Sequence, residues 1–292
     1  VLFTGRTMSL NHDVVGQKIG PLVHSYTWKD VILYALGVGA GTEELNFVYE
    51  KNLQVIPSFA IAAVFDFFFQ AGSQANVNLQ GILHAEQELT FHHPLPIEGT
   101  LITQGEIVNI YDLGRERGAL IEARGITRNA EGLKLFTNVM TIFARLDGGF
   151  GGNKPPKRQV EIPNREPDFV VHDQPSKDQA LLYRLSGDTF ELHVDPEFAR
   201  RSGFEKPIMH GLCTFGYACR ACINSLVPGQ PEKVQKISCR FTKPLYPGTP
   251  IQTRIWTLQP GSAVWQVVNG LTQEVVIDLG VFEFEGQENN DR

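Results

Sequence analysis

The chain has 292 residues, an apolar fraction of 42% and a formal net charge of −6. This length accommodates one large domain or two ordinary ones, and the composition is normal for a soluble protein with a packed core. The sequence contains no basic block and no apolar run of roughly 18 residues, the length that a spanning helix needs. These features argue against a nucleic-acid partner and against a membrane span.

The first half of the chain predicts a short helix, a loop, a long apolar helix and then four strands. The short helix covers 28–38. The long helix covers 58–70 and is apolar on nearly all sides, which indicates burial of most of its surface. Runs rich in Val, Ile, Thr and Phe, separated by turn sequences, predict strands at 83–91, 101–111, 118–128 and 134–145.

The second half repeats this order after a Gly- and Pro-rich segment at 147–175, which indicates a linker between two units. Helices are predicted at 178–186 and 211–226, and strands at 234–241, 251–258, 263–269 and 274–284. A long buried helix with a largely antiparallel sheet, occurring twice, indicates an α+β fold. A helix wrapped by a curved sheet is the hot-dog arrangement, so we predict a double hot-dog.

An internal duplication supports this division. The segment FHHPL at 91–95 recurs as FTKPL at 241–245, and Pro57 has its counterpart in Pro207 at the same offset of 150 residues. Self-similarity at a fixed offset indicates a duplicated structural unit. We therefore predict three parts: an N-terminal repeat at 8–150, a linker at 151–176 and a C-terminal repeat at 177–286.

The two copies differ in their reactive residues. The second copy has, in order, Asp188, His193, His210 and Gly211. The first copy has Gly39, Glu44, Ala60 and Ile61 at the corresponding positions. This contrast favours a functional role for the four residues of the second copy.

Asp188 and His193 lie five residues apart in a loop opened by Gly187. A loop can turn a carboxylate and an imidazole toward one water molecule, and such a pair can take a proton from water and give one to carbon. We therefore predict that both residues are catalytic. The alternative is that Asp188 caps a helix and His193 is a packed loop histidine.

Gly211 falls where the second long helix begins. The first N–H groups of a helix are free, and its dipole is positive at this end. A glycine lets a ligand carbonyl approach the backbone closely, as an oxyanion hole requires. We predict that Gly211 is catalytic and that the adjacent His210 binds substrate; the alternative for Gly211 is a glycine kept for tight packing.

Three cations distinguish the second copy, namely Arg184, Arg240 and Lys243, whose counterparts are Ala35, Thr90 and His93. Basic residues suit the phosphates of a carrier, so we assign these three to substrate binding. Solvated surface charge is the alternative for each of them.

The four cysteines are Cys213, Cys219, Cys222 and Cys239. No second Cys or His pair stands at zinc spacing, so we predict buried free thiols, no metal site and a reducing compartment. We expect no signal peptide, with Met8 as a plausible start and the preceding residues as a cloning remnant or an upstream extension.

The chain resembles a known family around the predicted catalytic residues of the second copy. Gly187-Asp188, the segment 193–196, Gly203-Phe204 and the segment 207–214 resemble the signature of MaoC-type R-specific enoyl-CoA hydratases. The resemblance extends over about 15–284, including 83–87, 148–152, 162–165 and 244–248, to the 2-enoyl-CoA hydratase 2 unit of the peroxisomal type-two multifunctional enzyme. It implies a double hot-dog whose N-terminal half has lost catalysis and accommodates the acyl tail. The C-terminal half would hold the catalytic pair and much of the CoA site.

One position departs from that family. Its members read Ser-Gly-Asp, any residue, Asn-Pro, any residue, His, whereas Phe190 and Glu191 stand here at the Asn and Pro positions. An aromatic ring cannot replace the hydrogen bonds of an amide. The departure predicts altered activity, or a protein that binds acyl-CoA without turning it over.

The resemblance implies reversible hydration of trans-2-enoyl-CoA to (3R)-3-hydroxyacyl-CoA in fatty-acid metabolism, by a hydro-lyase. Coenzyme A enters as part of the substrate, and no other cofactor is expected. The alternatives are a hot-dog acyl-CoA thioesterase and a catalytically impaired acyl-CoA-binding module. We expect a homodimer and a peroxisomal location, with the cytoplasm left open because Asn290-Asp291-Arg292 is not a peroxisomal signal.

Overall fold

A computed structural model describes residues 10–286 of the chain. Met8 and the C-terminal tripeptide, on which two of the sequence predictions rest, lie outside the described residues.

The secondary structure follows the order predicted from the duplication. The helices are α1 (Trp28–Gly37), α2 (Leu45–Val48), α3 (Phe59–Ala63), α4 (Asp66–Gln74), α5 (Gln179–Tyr183), α6 (Pro196–Arg201) and α7 (Gly211–Leu226). The strands are β1 (Lys18–Tyr26), β2 (Ile82–Phe91), β3 (Gly99–Gly114), β4 (Gly118–Asn129), β5 (Lys134–Ala144), β6 (Phe169–Asp173), β7 (Val234–Phe241), β8 (Ile251–Gln259), β9 (Ser262–Asn269) and β10 (Val275–Phe284). Short 3-10 turns lie at His12–Val14, Leu79–Gly81, Arg184–Ser186, Glu191–His193 and Pro231–Lys233.

The ten strands form one antiparallel sheet in the order β1-β3-β4-β5-β2-β7-β10-β9-β8-β6. The halves meet where β2 pairs with β7, from Glu86 opposite Arg240 to Thr90 opposite Lys236. From this junction outward, the order of each half is the same once every strand is replaced by its duplicate. The α+β double hot-dog prediction is therefore confirmed.

Helix α7 is the buried helix of the second half and has the bounds predicted from the sequence. Its residues from Leu212 to Ile223 are all buried, and it contacts β6, β7 and β8. An apolar sequence without a polar face is stable as a helix only when it is enclosed in this way.

The corresponding helix of the first half is broken. The sequence predicts one helix over 58–70, but the structure has α3 and α4 separated at Val64 and Phe65. At Val64 the backbone leaves the helical region, with φ −122° and ψ 26°. The segment contains neither Pro nor Gly, so local sequence gives no signal for the break. The phenylalanines around the break pack against one another and against His84.

Two strands were not predicted, and both lie at the edges of the sheet. Strand β1 is exposed at most of its positions and contains Gly20-Pro21, which weakens the alternation expected of a strand. Strand β6 has only five residues and lies inside the segment predicted as a linker, where it pairs with β8. The sheet of the second half thus begins at Phe169, before the predicted start of that repeat.

A buried ion cluster joins the two halves away from the sheet. Arg220 on α7 donates hydrogen bonds to Glu44 at 2.5 Å and to the carbonyl of Val38 at 3.1 Å, both in the first half. It also bonds to Asp173 at the end of β6. The side chains of Arg220 and Asp173 are 10% and 11% exposed, so the cluster is largely removed from water.

Candidate active site

A cleft between the two halves contains the residues singled out by the duplication. It encloses about 1120 Å³, its open mouth included. The second half contributes Asp188, Phe190, His193, Gly211 and the stretch from Phe241 to Leu245. The first half contributes an aromatic chamber, by which we mean the part of the cleft lined by Phe65, Phe68, Phe69, Phe143 and residues 82–85.

The break between α3 and α4 shapes the aromatic chamber. Phe65 and Phe68 stack with ring centroids 5.3 Å apart, and Phe68 stacks on His84 of β2 at 4.9 Å. Phe69 meets the Phe65 ring edge to face at 5.1 Å. These rings provide a rigid apolar wall that is suited to binding a hydrocarbon group.

Gly187 fixes the start of the loop that carries the reactive pair. Its φ of 138° is disfavoured for residues with a side chain, and a Cβ here would lie 2.7 Å from the carbonyl oxygen of Ala62. The loop therefore packs directly against the end of α3. The carboxylate of Asp188 then accepts a hydrogen bond from the N–H of Phe190 at 3.2 Å, which holds the turn.

Asp188 and His193 face each other across a short gap. Asp188 Oδ2 and His193 Nε2 are 3.9 Å apart, and each side chain is 10% exposed. Nδ1 of His193 donates a hydrogen bond to the carbonyl oxygen of Ile208 at 2.8 Å, since a carbonyl can only accept. In the neutral ring Nε2 therefore carries the lone pair, and it faces the carboxyl group across a gap that one water molecule can bridge.

Burial shifts the pKa values of this pair in opposite directions. Removal from water raises the pKa of Asp188, and the nearby His193 opposes this rise. Removal from water also lowers the pKa of His193, although Asp188 and the bond to Ile208 oppose it. Both shifts favour a neutral imidazole beside a carboxyl group that holds a proton more readily than usual.

His210 lies behind the pair instead of in the cleft. Its ring stacks on His193 with centroids 3.7 Å apart, and Nε2 donates a hydrogen bond to the backbone carbonyl of Asp188 at 3.0 Å. Tyr183 covers its other side at 4.9 Å, and the residue is 1% exposed. His210 is not among the residues that line the cleft, and its role in substrate binding stays a prediction.

Gly211 is the first residue of α7 and lines the cleft, as the sequence predicts. As one of the first N–H groups of the helix, the N–H of Gly211 donates no hydrogen bond to another described residue. A Cβ at Gly211 would lie 3.0 Å from the ring of Phe241. A side chain here would press against that ring, whereas glycine leaves the approach to the free N–H at the positive end of α7 open.

The three predicted phosphate-binding cations have different positions. Lys243 lines the cleft and forms an ion pair with Glu274. Arg240 is paired with Glu86 at 2.6 Å and is not among the residues that line the cleft, and its assignment to substrate binding stays a prediction. Arg184 lies 3.5 Å from the carbonyl of Thr189, beside the catalytic loop and outside the cleft, and its role in binding stays a prediction.

The sequence interpretation assigned no role to His84, although its segment carries the family resemblance. His84 lines the cleft, donates a hydrogen bond from Nε2 to the carbonyl of Glu86 at 3.0 Å, and lies between Phe68 and Phe241. Burial lowers its pKa to about 4, so the ring is neutral near pH 7. No spacing signal could have placed it here, because its two ring partners come from two other elements, α4 and β7.

Among residues 10–286, the group that could hold a metal ion is Asp188, His193 and His210, whose ligand atoms lie within 4.8 Å of one another. One nitrogen of each imidazole is already committed to a backbone carbonyl. The expectation of no metal therefore stays a prediction, resting on the sequence. The four cysteines are buried free thiols, as predicted.

The fold and the cleft define a MaoC-like protein, and comparisons with known proteins agree. Residues 24–146 match the MFE-2 hydratase 2 N-terminal domain, and residues 158–278 match the MaoC like domain. The chain therefore belongs to the MaoC-like family that contains the hydratase 2 unit.

Individual relatives have similar names. The chain is 36% identical to "Probable enoyl-CoA hydratase 2" of Dictyostelium discoideum, covering 92% of this chain and 94% of the relative. It is 38% identical to "Peroxisomal multifunctional enzyme type 2" of Mus musculus, covering 83% of this chain and 34% of the relative. The solved structure of a MaoC-like dehydratase from Phytophthora capsici is 31% identical, with a TM-score of 0.85 over 95% of this chain and 99% of that one. No helix of the described residues is long and apolar enough to span a membrane.

Proposed function

We propose that this protein reversibly hydrates trans-2-enoyl-CoA to (3R)-3-hydroxyacyl-CoA in fatty-acid metabolism. The observation that carries the proposal is the 3.9 Å gap between Asp188 and His193, with the His193 lone pair fixed toward it. This pair lies in the cleft that also contains the free N–H of Gly211 and the aromatic chamber. Each part of the reaction thus has a group in the cleft: the reactive pair for water, the Gly211 N–H for the thioester and the aromatic chamber for the acyl tail.

In this mechanism His193 Nε2 accepts a proton from the water molecule, whose oxygen bonds to C3 of the substrate. The electrons of the C2–C3 double bond move toward the thioester carbonyl, and the protonated Asp188 donates its proton to C2. The imidazolium then returns a proton to the carboxylate across the gap. The direction of each pKa shift, upward for Asp188 and downward for His193, matches an acid and a base respectively.

Gly211 would stabilise the enolate that forms between these steps. Its N–H and the positive end of α7 can bind the thioester oxygen as negative charge develops there. Coenzyme A would enter as part of the substrate, with Lys243 near the mouth of the cleft as a phosphate contact. Metal and redox cofactors have no step in this scheme.

The direct test is incubation of the purified protein with crotonyl-CoA and a longer enoyl-CoA, followed by chiral analysis of the product. We expect the (3R)-3-hydroxyacyl-CoA from both substrates. An (S) product would overturn the stereochemical assignment. Binding of both thioesters without turnover would favour the impaired binding module that Phe190 suggests, and release of free thiol would favour the thioesterase.

We further propose that the protein is a peroxisomal homodimer. The support for the compartment is the peroxisomal relative reported above, and the support for the dimer is the family resemblance. A fluorescent fusion of the full chain that stays in the cytoplasm would contradict the first proposal. A sedimentation mass near the 32.5 kDa of one chain would contradict the second.

A further inference from the structure

Phe190 lies at the junction between the reactive pair and the aromatic chamber. Its ring lines the cleft and is 6.4 Å from the ring of His193, measured between centroids. On its other side it meets Phe69 of α4 edge to face, with centroids 6.2 Å apart. These two rings form the Phe190–Phe69 wall, which connects the catalytic loop of the second half to the broken helix of the first.

The Phe190 ring is held in place. Its backbone N–H donates to Asp188 at 3.2 Å, and its carbonyl accepts from the N–H of His193 at 3.2 Å. The ring also packs edge to face on Phe198 of α6 at 5.2 Å. Moving it would therefore disturb the loop that positions the pair, so a substrate must fit around this ring.

The direction of the bound substrate follows from the proposed function. With the thioester oxygen at Gly211 and the tail in the aromatic chamber, C3 lies beside the water between Asp188 and His193. The next atom toward the chamber is C4. Because the Phe190–Phe69 wall begins next to His193, C4 is the carbon that passes closest to it.

We propose that Phe190 selects enoyl-CoA substrates that are unbranched at C4, with bulk tolerated only further along the tail. This inference rests on the proposed function, which supplies the orientation of the substrate. A methyl group on C4 would have to occupy space that the fixed ring fills. One added methyl group in a tight apolar site commonly changes kcat/KM by about 10- to 200-fold.

The test compares trans-2-hexenoyl-CoA with its isomer trans-4-methyl-2-pentenoyl-CoA, which has the same number of carbons and a branch at C4. We expect the wild-type protein to prefer the straight isomer at least about tenfold in kcat/KM. In Phe190→Ala this preference should fall to within about twofold, with Phe190→Leu intermediate. The control is Phe169→Leu, which changes a partly exposed ring on β6 outside the cleft and should keep the preference.

The ratio of the two isomers separates selectivity from a general loss of activity when the loop is altered. Equal kcat/KM for both isomers in the wild type, or an unchanged preference in Phe190→Ala, would overturn the proposal. If the wild type turns over neither isomer, hydration itself fails. The wall is then judged by calorimetric binding of the saturated hexanoyl-CoA and 4-methylpentanoyl-CoA, where equal affinities would overturn it.

Discussion

Burial has more influence than mutual attraction on the ionisation of the residues in the cleft. It raises the pKa of Asp188 and lowers that of His193, although their opposite charges would produce the reverse shifts. The stacked His210 carries a pKa well below its ordinary value for the same reason. The stacked imidazoles of His193 and His210 are therefore both neutral near pH 7.

Removing either member of the reactive pair should abolish most of the turnover. We expect Asp188→Asn or His193→Gln to lower kcat by about 100-fold or more, because each loses a proton donor or acceptor. The measurement is steady-state hydration of crotonyl-CoA, with thermal unfolding as a check of the fold. Near-normal turnover in either variant would show that the pair is not catalytic.

His84 should make the protein less stable in mild acid. The unfolded chain protonates this residue near its ordinary pKa of 6.5, whereas the folded protein resists protonation until about pH 4. Its contribution is therefore present above pH 6.5 and is lost as the pH falls toward 4, by about 2 kcal/mol between pH 7 and pH 5. The variant His84→Phe keeps an aromatic ring in the stack. Between pH 7 and pH 5 its free energy of unfolding should fall by about 2 kcal/mol less than that of the wild type.

Urea titrations at pH 7 and pH 5 provide this measurement. The exposed histidine His24 offers a matched control, and His24→Asn should have the same pH dependence as the wild type. Equal acid sensitivity in His84→Phe and the wild type would mean that other groups cause the loss.

Among the elements, we expect helix α4 to limit which substrates fit. Its Phe68 and Phe69 line the aromatic chamber, directly after the break that separates α3 from α4. Ala85 on β2 lines the same chamber, so Ala85→Leu should narrow it. We expect kcat/KM for a decenoyl-CoA to fall by about tenfold while crotonyl-CoA is spared, since a short tail does not reach the added methyl groups. An equal loss of kcat/KM for both substrates would indicate that the acyl tail does not lie in the aromatic chamber.

The elements also show how far the sequence predicts the structure. Helix α7 and strand β7 have the predicted bounds. Both contribute buried residues to the core, and burial requires apolar residues that can be recognised in the local sequence. The break at Val64 was missed because the segment contains neither Pro nor Gly to signal it, and the edge strand β6 was missed because it depends on pairing with β8.

At the site, the duplication predicts Asp188, His193 and Gly211 in the cleft, because loop and helix starts are local features. It does not predict that the ring of His210 stacks on His193 or that Arg240 pairs with Glu86. Their side-chain directions depend on the ring stack on His193 and on the pairing of β7 with its neighbours.

At the scale of the whole molecule, Arg220 links the two copies into one folding unit. Arg220→Ala should lower the free energy of unfolding by about 3 kcal/mol, because Glu44 and Asp173 would stay buried without a countercharge. Arg201→Ala, which removes an exposed pair with Glu197, serves as the control and should change little. Urea unfolding followed by fluorescence gives both values.

Neutralising the whole ion cluster distinguishes charge from packing. We expect Arg220→Met combined with Glu44→Gln and Asp173→Asn to recover much of the stability lost in Arg220→Ala. No recovery would mean that the packing of the arginine stem, rather than its charge, holds the halves together.

The pairing of β2 with β7 also has a consequence during synthesis. Paired residues such as Leu89 and Ile237 are roughly 150 residues apart in the chain. A ribosome adds about 5–20 residues per second, so the inner edge of the first half waits about 8–30 seconds for its partner strand. Throughout that time it is an open strand edge able to pair with another nascent chain. Faster translation of the second half, or a chaperone bound at that edge, should therefore raise the yield of correctly folded protein.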